Sequence, residues 1–417
     1  MRNGTVLSMD PAVGDFDTGD VLIEDDVVVA VGPDLSERAS GHDVLDATGC
    51  IVVPGFVDTH RHMWEGILRG SVPRATLDGY FDRVLFGLGP RLSPAHVGLS
   101  EALSAHAALD AGITTVQDTS DANDDPARTD AIVAALQRSG LRAVFAYGLP
   151  RPFVERRGAA FPDDVRRVRH ELLADDAALV TMALATTHGG ADDERHNAAL
   201  AAELDVRTAH HVRPAILPSR MQAIGALRPN TTFVHGNGLS SDELHLVADT
   251  GGSLSIAPFI EIAMELGQPM VLEALAVPGL NTCLSVDVEV TGPTDMFTQM
   301  RLAYLAARSA GHDLDARTVL AMATSNGADA LGLERVTGSL TPGKQADLVV
   351  LRADLPSVRP VHDPYGTVVL QMDRASVDAV VVAGVVHKRG GRMVEDRSAD
   401  YEEAERVLHG LRDAPPG

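Results

Sequence analysis

Ile51-Val52-Val53-Pro54-Gly55-Phe56-Val57-Asp58-Thr59-His60-Arg61-His62 is a short apolar run that passes through Pro-Gly and ends in two histidines two positions apart. Side chains at positions i and i+2 of a strand point to the same side. His60 and His62 can therefore present two imidazoles together at a strand end, as one metal ion requires. A pair of solvent-exposed histidines in a loop is the alternative. The hydrophobic strand before them and the matching segments downstream favour a metal site.

Downstream of this run, apolar β-rich runs alternate with amphipathic segments of helical length, a pattern typical of βα units around a parallel sheet. The predicted strands lie near residues 51–58, 113–118, 142–149, 179–187, 206–212, 231–235, 253–257 and 282–288. Predicted helices include residues 94–111, 130–139 and 295–310. Eight such strands predict a (β/α)8 TIM barrel, in which catalytic residues lie at the C-terminal ends of the strands.

Both chain ends carry short strands and turns. Val21 to Glu24 and Val27 to Val31 flank an acidic turn, which predicts a hairpin. The C-terminal region shows the same pattern of short apolar strands separated by turns. Because neither end is large enough for a core of its own, we predict one small β-sandwich assembled from both. The predicted domains are a composite β-sandwich over residues 1–54 and 339–417, which includes a C-terminal surface helix, and a barrel over residues 55–338.

The composition excludes several classes of protein. A chain of 417 residues with 45% hydrophobic residues can bury a large core, and two cysteines cannot supply a disulfide framework. The net charge of −23 argues against nucleic acid or an anionic membrane as partner. No signal or membrane-spanning pattern is expected. We therefore expect a cytoplasmic enzyme with a small-molecule substrate, as a homodimer or higher homo-oligomer.

Two further candidate ligands end predicted strands. His235, in Val234-His235-Gly236, ends the sixth strand, and Asp287 ends the eighth. A buried carboxylate is costly unless it is paired or bound to a cation, so metal ligation would explain Asp287. Taken alone, His235 could cap a turn and Asp287 could cap a helix. Their joint placement with the His60 pair at strand ends favours one cluster.

The segment Val53 to His62 resembles the first metal-binding strand of the amidohydrolase superfamily. The closest resemblance is to the branch that contains cytosine deaminase, guanine deaminase and the triazine hydrolases (atrazine chlorohydrolase-like). The resemblance extends to His235, Asp287 and the segments 295–301 and 338–348.

This resemblance implies hydrolysis of a non-peptide C–N bond with one divalent metal ion, zinc or alternatively iron. In that scheme, Asp287 ligates the metal and takes a proton from the attacking water, and His235 orients that water or polarises the group under attack. No lysine stands at the end of the fourth strand, where Ala185-Thr186-Thr187-His188 occurs, so a mononuclear site is expected.

The family supplies one metal histidine from its fifth strand, where this chain has His210 and His211. Two neighbours on a strand cannot both point inward. Val206 begins the face that His210 shares, and apolar residues are usual toward the helices. The small Ala209 shares a face with His211 and suits the crowded interior. We favour His211 as the ligand, with His210 as the alternative.

One departure from the branch concerns proton transfer. Its deaminases carry a glutamate three residues after the fifth-strand histidine, and counting from His211 or His210 gives Pro214 or Arg213. Neither residue can act as a general acid near pH 7.

Three other glutamates could supply the proton instead. Glu289, which would share a strand face with Asp287, is the first choice, and Glu261 and Glu65 are alternatives. Each could equally be a structural or solvated carboxylate. Candidate substrate contacts are His188, Arg213, Trp64 and Glu65. Arg213 would favour an anionic or carbonyl-bearing substrate through a bidentate contact.

The predicted reaction is deamination of an aminated heterocycle by a metal-activated water. Opening of a cyclic amide or imidazolone, or another hydrolysis without deamination, is the alternative because the usual glutamate is absent. A scaffold protein that has lost its metal is a hypothesis of a different class, which metal analysis would separate from an enzyme.

Overall fold

The computed structural model of the protein describes residues 1–38, 41, 43–186, 189–212 and 216–413, with side chains as far as Leu411. The strands are β1 (Gly4–Val6), β2 (Phe16–Glu24), β3 (Val27–Gly32), β4 (Cys50–Pro54), β5 (Phe56–Arg61), β6 (Ile113–Ser120), β7 (Arg142–Tyr147), β8 (Val180–Thr186), β9 (Arg207–His211), β10 (Thr232–Val234), β11 (Ser253–Ile256), β12 (Asn281–Leu284), β13 (Leu348–Arg352), β14 (Val377–Val382), β15 (Val385–Arg389) and β16 (Arg392–Met393).

The helices are α1 (Leu77–Tyr80), α2 (Pro94–Asp110), α3 (Pro126–Ser139), α4 (Arg151–Arg157), α5 (Asp164–Arg167), α6 (Ala191–Glu203), α7 (Pro218–Ala223), α8 (Ser241–Asp249), α9 (Pro258–Ala263), α10 (Val271–Leu275), α11 (Met296–Ser309), α12 (Ala316–Met322), α13 (Ser325–Ala330), α14 (Pro364–Gly366) and α15 (Ser398–Asp413). Short 3-10 or π-helical segments cover Met63–Leu68, Phe81–Leu88, Gly89–Arg91, Val168–Leu172, Thr367–Gln371 and Arg374–Ser376.

Strands β5 to β12 form one sheet in sequential order. The pairs from β7 to β12 for which a register is described are parallel. The sheet closes where the chain beyond β12 returns to the end of β5: Asp287 donates its backbone N–H to the carbonyl of His60 at 2.9 Å, and His62 donates to the carbonyl of Asp287 at 3.2 Å. The predicted TIM barrel is confirmed.

Six of the eight predicted strands lie where the sequence places them, with ends that differ by one or two residues. The first predicted strand divides at Gly55 into β4 and β5, which belong to different sheets. A Cβ atom at Gly55 would lie 1.9 Å from Oγ1 of Thr114, so this close approach requires glycine. The last strand, β12, ends at Leu284, three residues before Asp287.

The second sheet has the order β16-β15-β14-β13-β4-β1-β2-β3 and is built from both chain ends, as predicted. The β2–β3 pair is the predicted hairpin around Asp25 and Asp26. Strand β4 pairs in parallel with β1 and antiparallel with β13. The core against this sheet consists of valine, alanine and leucine side chains, among them Val6, Val28, Val52, Leu348 and Val381.

The chain divides into two compact units. The first comprises Met1–Asp58, Ala107–Thr115 and Asp295–Asp396, and the second comprises Thr59–His106, Val116–Thr294 and Arg397–Gly417. Helix α15 thus belongs to the second unit, where the hydroxyl group of Tyr401 lies 3.1 Å from Nδ1 of His106. The domain boundaries after residues 54 and 338 stay a prediction.

Helix α3 shows how local sequence sets an element of the barrel. Asp125 caps its N-terminus by accepting the backbone N–H of Ala127, and Pro126 occupies the first turn, where no amide donor is needed. Gly140 ends the helix in the left-handed conformation, at φ 71°. The helix therefore begins four residues before the predicted start at Asp130.

None of the helices in the described part of the chain combines the length and apolarity that a membrane crossing requires.

Candidate metal centre

Four imidazoles and one carboxylate converge at the C-terminal ends of the barrel strands. Nε2 of His60 lies 3.1 Å from Nε2 of His211 and 3.2 Å from Oδ1 of Asp287. Nε2 of His62 lies 3.4 Å from Oδ1 of Asp287, and Nε2 of His235 lies 3.6 Å from its Oδ2. Neighbouring ligands about 2.0–2.1 Å from a tetrahedral zinc ion are about 3.3 Å apart. The spacing of these donor atoms therefore fits a metal ion.

The outer nitrogens of three of these histidines are held by polar side chains. An outer partner of this kind fixes the tautomer and the ring orientation, so that the inner nitrogen is directed at the centre. The Nδ1 pairs are His60 with Oγ1 of Thr119 at 2.8 Å, His62 with Oδ1 of Asp121 at 3.2 Å, and His235 with Oε1 of Glu261 at 3.3 Å. The cluster is thus organised to bind a cation through Nε2 atoms.

Two members of the cluster have unusual backbone geometry. His235 has φ 72° and Asp287 has φ 70°, a left-handed conformation that residues other than glycine rarely adopt. Such conformations concentrate at functional sites, where the surrounding structure sustains the strain. Here they turn both side chains toward the cluster just after their strands end.

Burial and neighbouring charges set the protonation states in the protein without a cation. Burial lowers the pKa of His60 to about 4, which leaves a neutral imidazole at pH 7. Burial opposes ionisation of Asp287, but its hydrogen bond with His60 and the charges of His235 and His62 outweigh burial and lower its pKa to about 2. Burial likewise opposes a charge on His62, but Asp121 and Asp287 raise its pKa to about 10. A bound cation would compete with that proton.

The two histidines of the fifth barrel strand, β9, have different surroundings. His211 lies in the cluster and lines the large cavity above it. His210 is buried away from the cluster, with its ring stacked on Phe233 at a centroid distance of 6.0 Å and its Nδ1 hydrogen-bonded to Thr186. Burial lowers the pKa of His210 to about 3. Alternation along the strand accounts for the difference.

The cavity over the cluster has a volume of about 660 Å³. His62, His211, His235 and Asp287 of the cluster line it. Apolar and aromatic side chains form much of its wall, among them Leu77, Tyr80, Phe81, Leu85, Leu149, Leu217, Ile260, Met264 and Leu266. Thr119, Asp121, Arg151 and Asn237 supply polar groups. An apolar cavity with a few polar groups and this volume is typical of a small-molecule site.

Comparison with known proteins identifies the family. The sequence model that describes the Amidohydrolase family matches residues 51–387 of this chain. The chain belongs to the amidohydrolase family. The 5'-deoxyadenosine deaminase of Methanosarcina mazei is 26% identical over 437 residues, which cover 99% of this chain and 98% of that protein. The 5-methylthioadenosine/S-adenosylhomocysteine deaminase of Thermococcus kodakarensis is 27% identical, with 93% of each chain covered.

Solved structures of other proteins share the fold of this amidohydrolase. An adenosine deaminase from Xanthomonas campestris with bound zinc has a TM-score of 0.84 and 22% identity, and the match covers 99% of this chain and 98% of that one. Atrazine chlorohydrolase TrzN from Arthrobacter aurescens, complexed with zinc, has a TM-score of 0.80 and 24% identity, covering 98% and 99%. The predicted branch and the predicted class, a hydrolase of non-peptide C–N bonds, are confirmed.

The prediction that Glu289 faces the metal centre is wrong. The chain leaves the strand geometry after Leu284, so the rule that places i and i+2 on one face does not apply between Asp287 and Glu289. The Glu289 carboxylate is fully buried and accepts hydrogen bonds from Nη2 of Arg61 at 2.6 Å and from Nη2 of Arg69 at 2.5 Å. Arg61 is the last residue of β5 and stands between His60 and His62, so its side chain points away from the cluster.

Glu289 is instead expected to stabilise the fold. Burial opposes its ionisation, but Arg61 and Arg69 outweigh burial and lower its pKa to about 2. Replacing Glu289 with glutamine removes one charged partner of the buried Arg61, and loss of one partner of a buried pair costs about 3–5 kcal/mol. Urea denaturation should show this loss in the free energy of unfolding. Glu203→Gln, which breaks the exposed pair with Arg166, is the matched control and should change little. Equal unfolding curves for both variants would contradict the assignment.

The other carboxylates considered from the sequence also have structural partners. Glu261 accepts hydrogen bonds from the backbone of Ala257 at 2.9 Å and from Nδ2 of Asn237 at 3.3 Å, besides its contact with His235. Glu65 is buried and accepts a hydrogen bond from the hydroxyl group of Tyr80 at 2.7 Å. Burial raises the pKa of Glu65 to about 8.

Two predicted substrate contacts lie elsewhere than expected. Neither Trp64 nor Glu65 is among the described residues that line the large cavity. The segment Met63–Leu68 turns inward as a buried 3-10 helix, so that Tyr80 faces the cavity in front of Glu65. Trp64 lines a separate cavity of about 50 Å³. The predictions for His188 and Arg213 concern residues outside the described part of the chain.

Sequence reasoning missed two residues of the site. Thr119 and Asp121 hold the outer nitrogens of His60 and His62. Both stand at the C-terminal end of the second barrel strand, β6, or just after it. The rule that barrel strands carry chemistry at this end could therefore have singled them out.

Proposed function

We propose that this amidohydrolase deaminates an adenosine-type nucleoside and binds one zinc ion through His60, His62, His211 and Asp287, with His235 beside it. The observation that carries the proposal is the cluster of Nε2 and carboxylate atoms, spaced 3.1–3.6 Å apart beside a cavity of about 660 Å³. Relatives named as deaminases of 5'-deoxyadenosine and 5-methylthioadenosine match almost the whole chain.

The donor set supports zinc among the divalent cations. Imidazole nitrogens with one carboxylate suit zinc, whereas calcium and magnesium prefer oxygen ligands. Iron remains the alternative for the same donors. When bound, such an ion supplies a water molecule whose pKa is lowered toward 7.

The side chains of the cluster divide the remaining work. Asp287, kept ionised by its histidine neighbours, accepts the proton of the attacking water. Glu261 holds Nδ1 of His235, so that Nε2 of His235 is directed into the site and can orient the water or stabilise charge on the substrate. The apolar wall, which includes Leu85 and Leu149, excludes bulk water from a planar ring.

A second candidate function rests on the missing fifth-strand glutamate. The sequence has Pro214 three residues after His211, and no group there can hand a proton to a leaving amine. Among the described residues that line the cavity, the carboxylates are Asp121, Glu265 and Asp287. Opening of a cyclic amide or imidazolone, or another hydrolysis without deamination, is therefore the alternative reaction.

Ammonia release decides between these reactions. Zinc-loaded protein is expected to release ammonia from 5'-deoxyadenosine or 5-methylthioadenosine, and chelator-treated protein is not. Asp287→Asn should lower kcat by about 10²–10⁴-fold, the range for loss of general-base help. Zinc-dependent opening of a cyclic amide without ammonia release from any aminated heterocycle would replace the deaminase assignment with the alternative.

Metal analysis tests the scaffold hypothesis separately. About one zinc or iron per chain after purification supports an enzyme, and none after reconstitution with zinc supports a scaffold.

We also propose that the protein is cytoplasmic and forms a homodimer or higher homo-oligomer. Light scattering should then give a mass at least twice the 44.0 kDa of one chain.

A further inference from the structure

Trp64, the one tryptophan in the sequence, lies directly behind a member of the metal cluster. Its indole Nε1 donates to Oδ1 of Asp121 at 2.5 Å, and the same oxygen lies 3.2 Å from Nδ1 of His62. The side chain of Trp64 is only 2% exposed. An unbroken chain of hydrogen-bonded groups thus runs from the cluster through Asp121 to the indole.

We propose that Asp121 and Trp64 act as a positioning pair for His62, and that the pair couples cation binding to the wall of the substrate cavity. The inference rests on the proposed metal site but not on the proposed substrate. Asp121 fixes the ring of His62, and the indole N–H holds the carboxylate in place. Trp64 emission should consequently report occupancy of the metal centre.

The identity of the outer partner explains why Asp121 matters more than an ordinary hydrogen-bond acceptor. His60 has the neutral hydroxyl group of Thr119 in the equivalent place, whereas His62 has a carboxylate. A carboxylate raises the basicity of a ligating imidazole as well as orienting it. The Asp121 side chain is 19% exposed and is among the residues that line the large cavity, so one group contacts both the ligand and the substrate space.

The far side of the indole contacts the segment that shapes the cavity. A Cβ atom at Gly89 would lie 3.1 Å from Cη2 of Trp64, so the backbone at Gly89 packs closely on the ring. Arg128 donates from Nη2 to the carbonyl of Gly89 at 2.9 Å and anchors it. The residues just before Gly89 include Phe81 and Leu85 of the cavity wall. Movement of the indole on cation binding would therefore reach that wall.

Zinc affinity of the full-length protein, measured by competition with a chromogenic chelator, tests the positioning role without any substrate. Asp121→Asn keeps the shape but removes the charge and should weaken zinc binding by about 10–100-fold, the usual effect of losing an outer partner. Trp64→Phe, which retains Asp121, should weaken it by about two- to tenfold. Asp176→Asn is the matched control, because Asp176 is an exposed carboxylate that pairs with Arg169 at 2.9 Å. Its zinc affinity should equal that of the wild type.

Fluorescence excited at 295 nm tests the coupling. Zinc titration of the wild type should change Trp64 emission with the same midpoint as chelator competition. In Asp121→Asn that midpoint should shift to a higher zinc concentration. When Co²⁺ is bound in place of zinc, its absorption bands should also differ between this variant and the wild type. Equal zinc affinities for Asp121→Asn and Asp176→Asn would overturn the positioning role, and constant emission during stoichiometric binding would overturn the coupling. Zinc binding with these shifts but without deamination would leave the inference intact and reject the proposed substrate. A wild type that binds no zinc would overturn both.

Discussion

His60→Ala is expected to remove the bound metal and to lower turnover by at least about 10³-fold. Nε2 of His60 is the most central donor of the cluster, with neighbours at 3.1 Å in His211 and at 3.2 Å in Asp287. Without the ion, the attacking water returns toward its ordinary pKa, which is far higher than that of a metal-bound water. Because a ligand set that loses one of few members binds its metal much more weakly, His62→Ala should behave in the same way.

Metal content by mass spectrometry of the purified variants, together with kcat, measures the effect. His245→Ala is the matched control, since His245 is exposed on α8 and its Nδ1 lies 2.7 Å from the carbonyl oxygen of Ser241 in the same helix. Circular dichroism should show that each variant remains folded. A double variant of His60 and His62 that kept full metal content and activity would exclude these residues as ligands.

The neighbouring histidines of β9 should differ sharply when replaced one at a time. His211→Ala is expected to lose most of the metal, whereas folded His210→Ala should keep about one equivalent. The reason is the side that each ring occupies, since His211 lies in the cluster and His210 packs on Phe233. His210→Ala should instead lower the free energy of unfolding, because it empties a buried volume.

Metal stoichiometry and urea denaturation, measured on the same preparations, separate the two roles. For His211→Ala the expected pattern is low metal content with nearly wild-type unfolding of the metal-free protein. For His210→Ala the expected pattern is about one equivalent of metal with a lowered free energy of unfolding of the metal-free protein. If His210→Ala lost the metal and His211→Ala retained it, the ligand on this strand would be His210, and the alternation argument would have chosen the wrong face.

Asp121 and Glu289 show that two carboxylates that contact the same part of β5 and the residue after it can have different roles. Asp121 has one oxygen on His62 and lines the cavity, whereas Glu289 has both oxygens on arginines that face away from it. Strand β5 separates them, because His60 and His62 point to one side and Arg61 to the other. A substitution at either carboxylate is therefore informative only when metal affinity and stability are both measured.

The sequence by itself determined the features that depend on local periodicity. Alternation along a strand paired His60 with His62 and distinguished His211 from His210, because side-chain direction repeats every two residues wherever the backbone is extended. Alternating strands and helices determined the barrel, since parallel strands need long crossover connections. His235 was located because it ends a predicted strand, and barrel enzymes carry their catalytic residues at the C-terminal ends of the strands.

Tertiary structure alone decided where side chains lie once that periodicity stops. Asp287 reaches the cluster after β12 has ended, through a left-handed backbone turn and a bridge to β5, so Glu289 could not be placed by counting. Thr119 and Asp121 meet their histidines across strands more than fifty residues apart in sequence. Such contacts depend on which strands become neighbours when the barrel closes, and no local pattern in the chain records that choice.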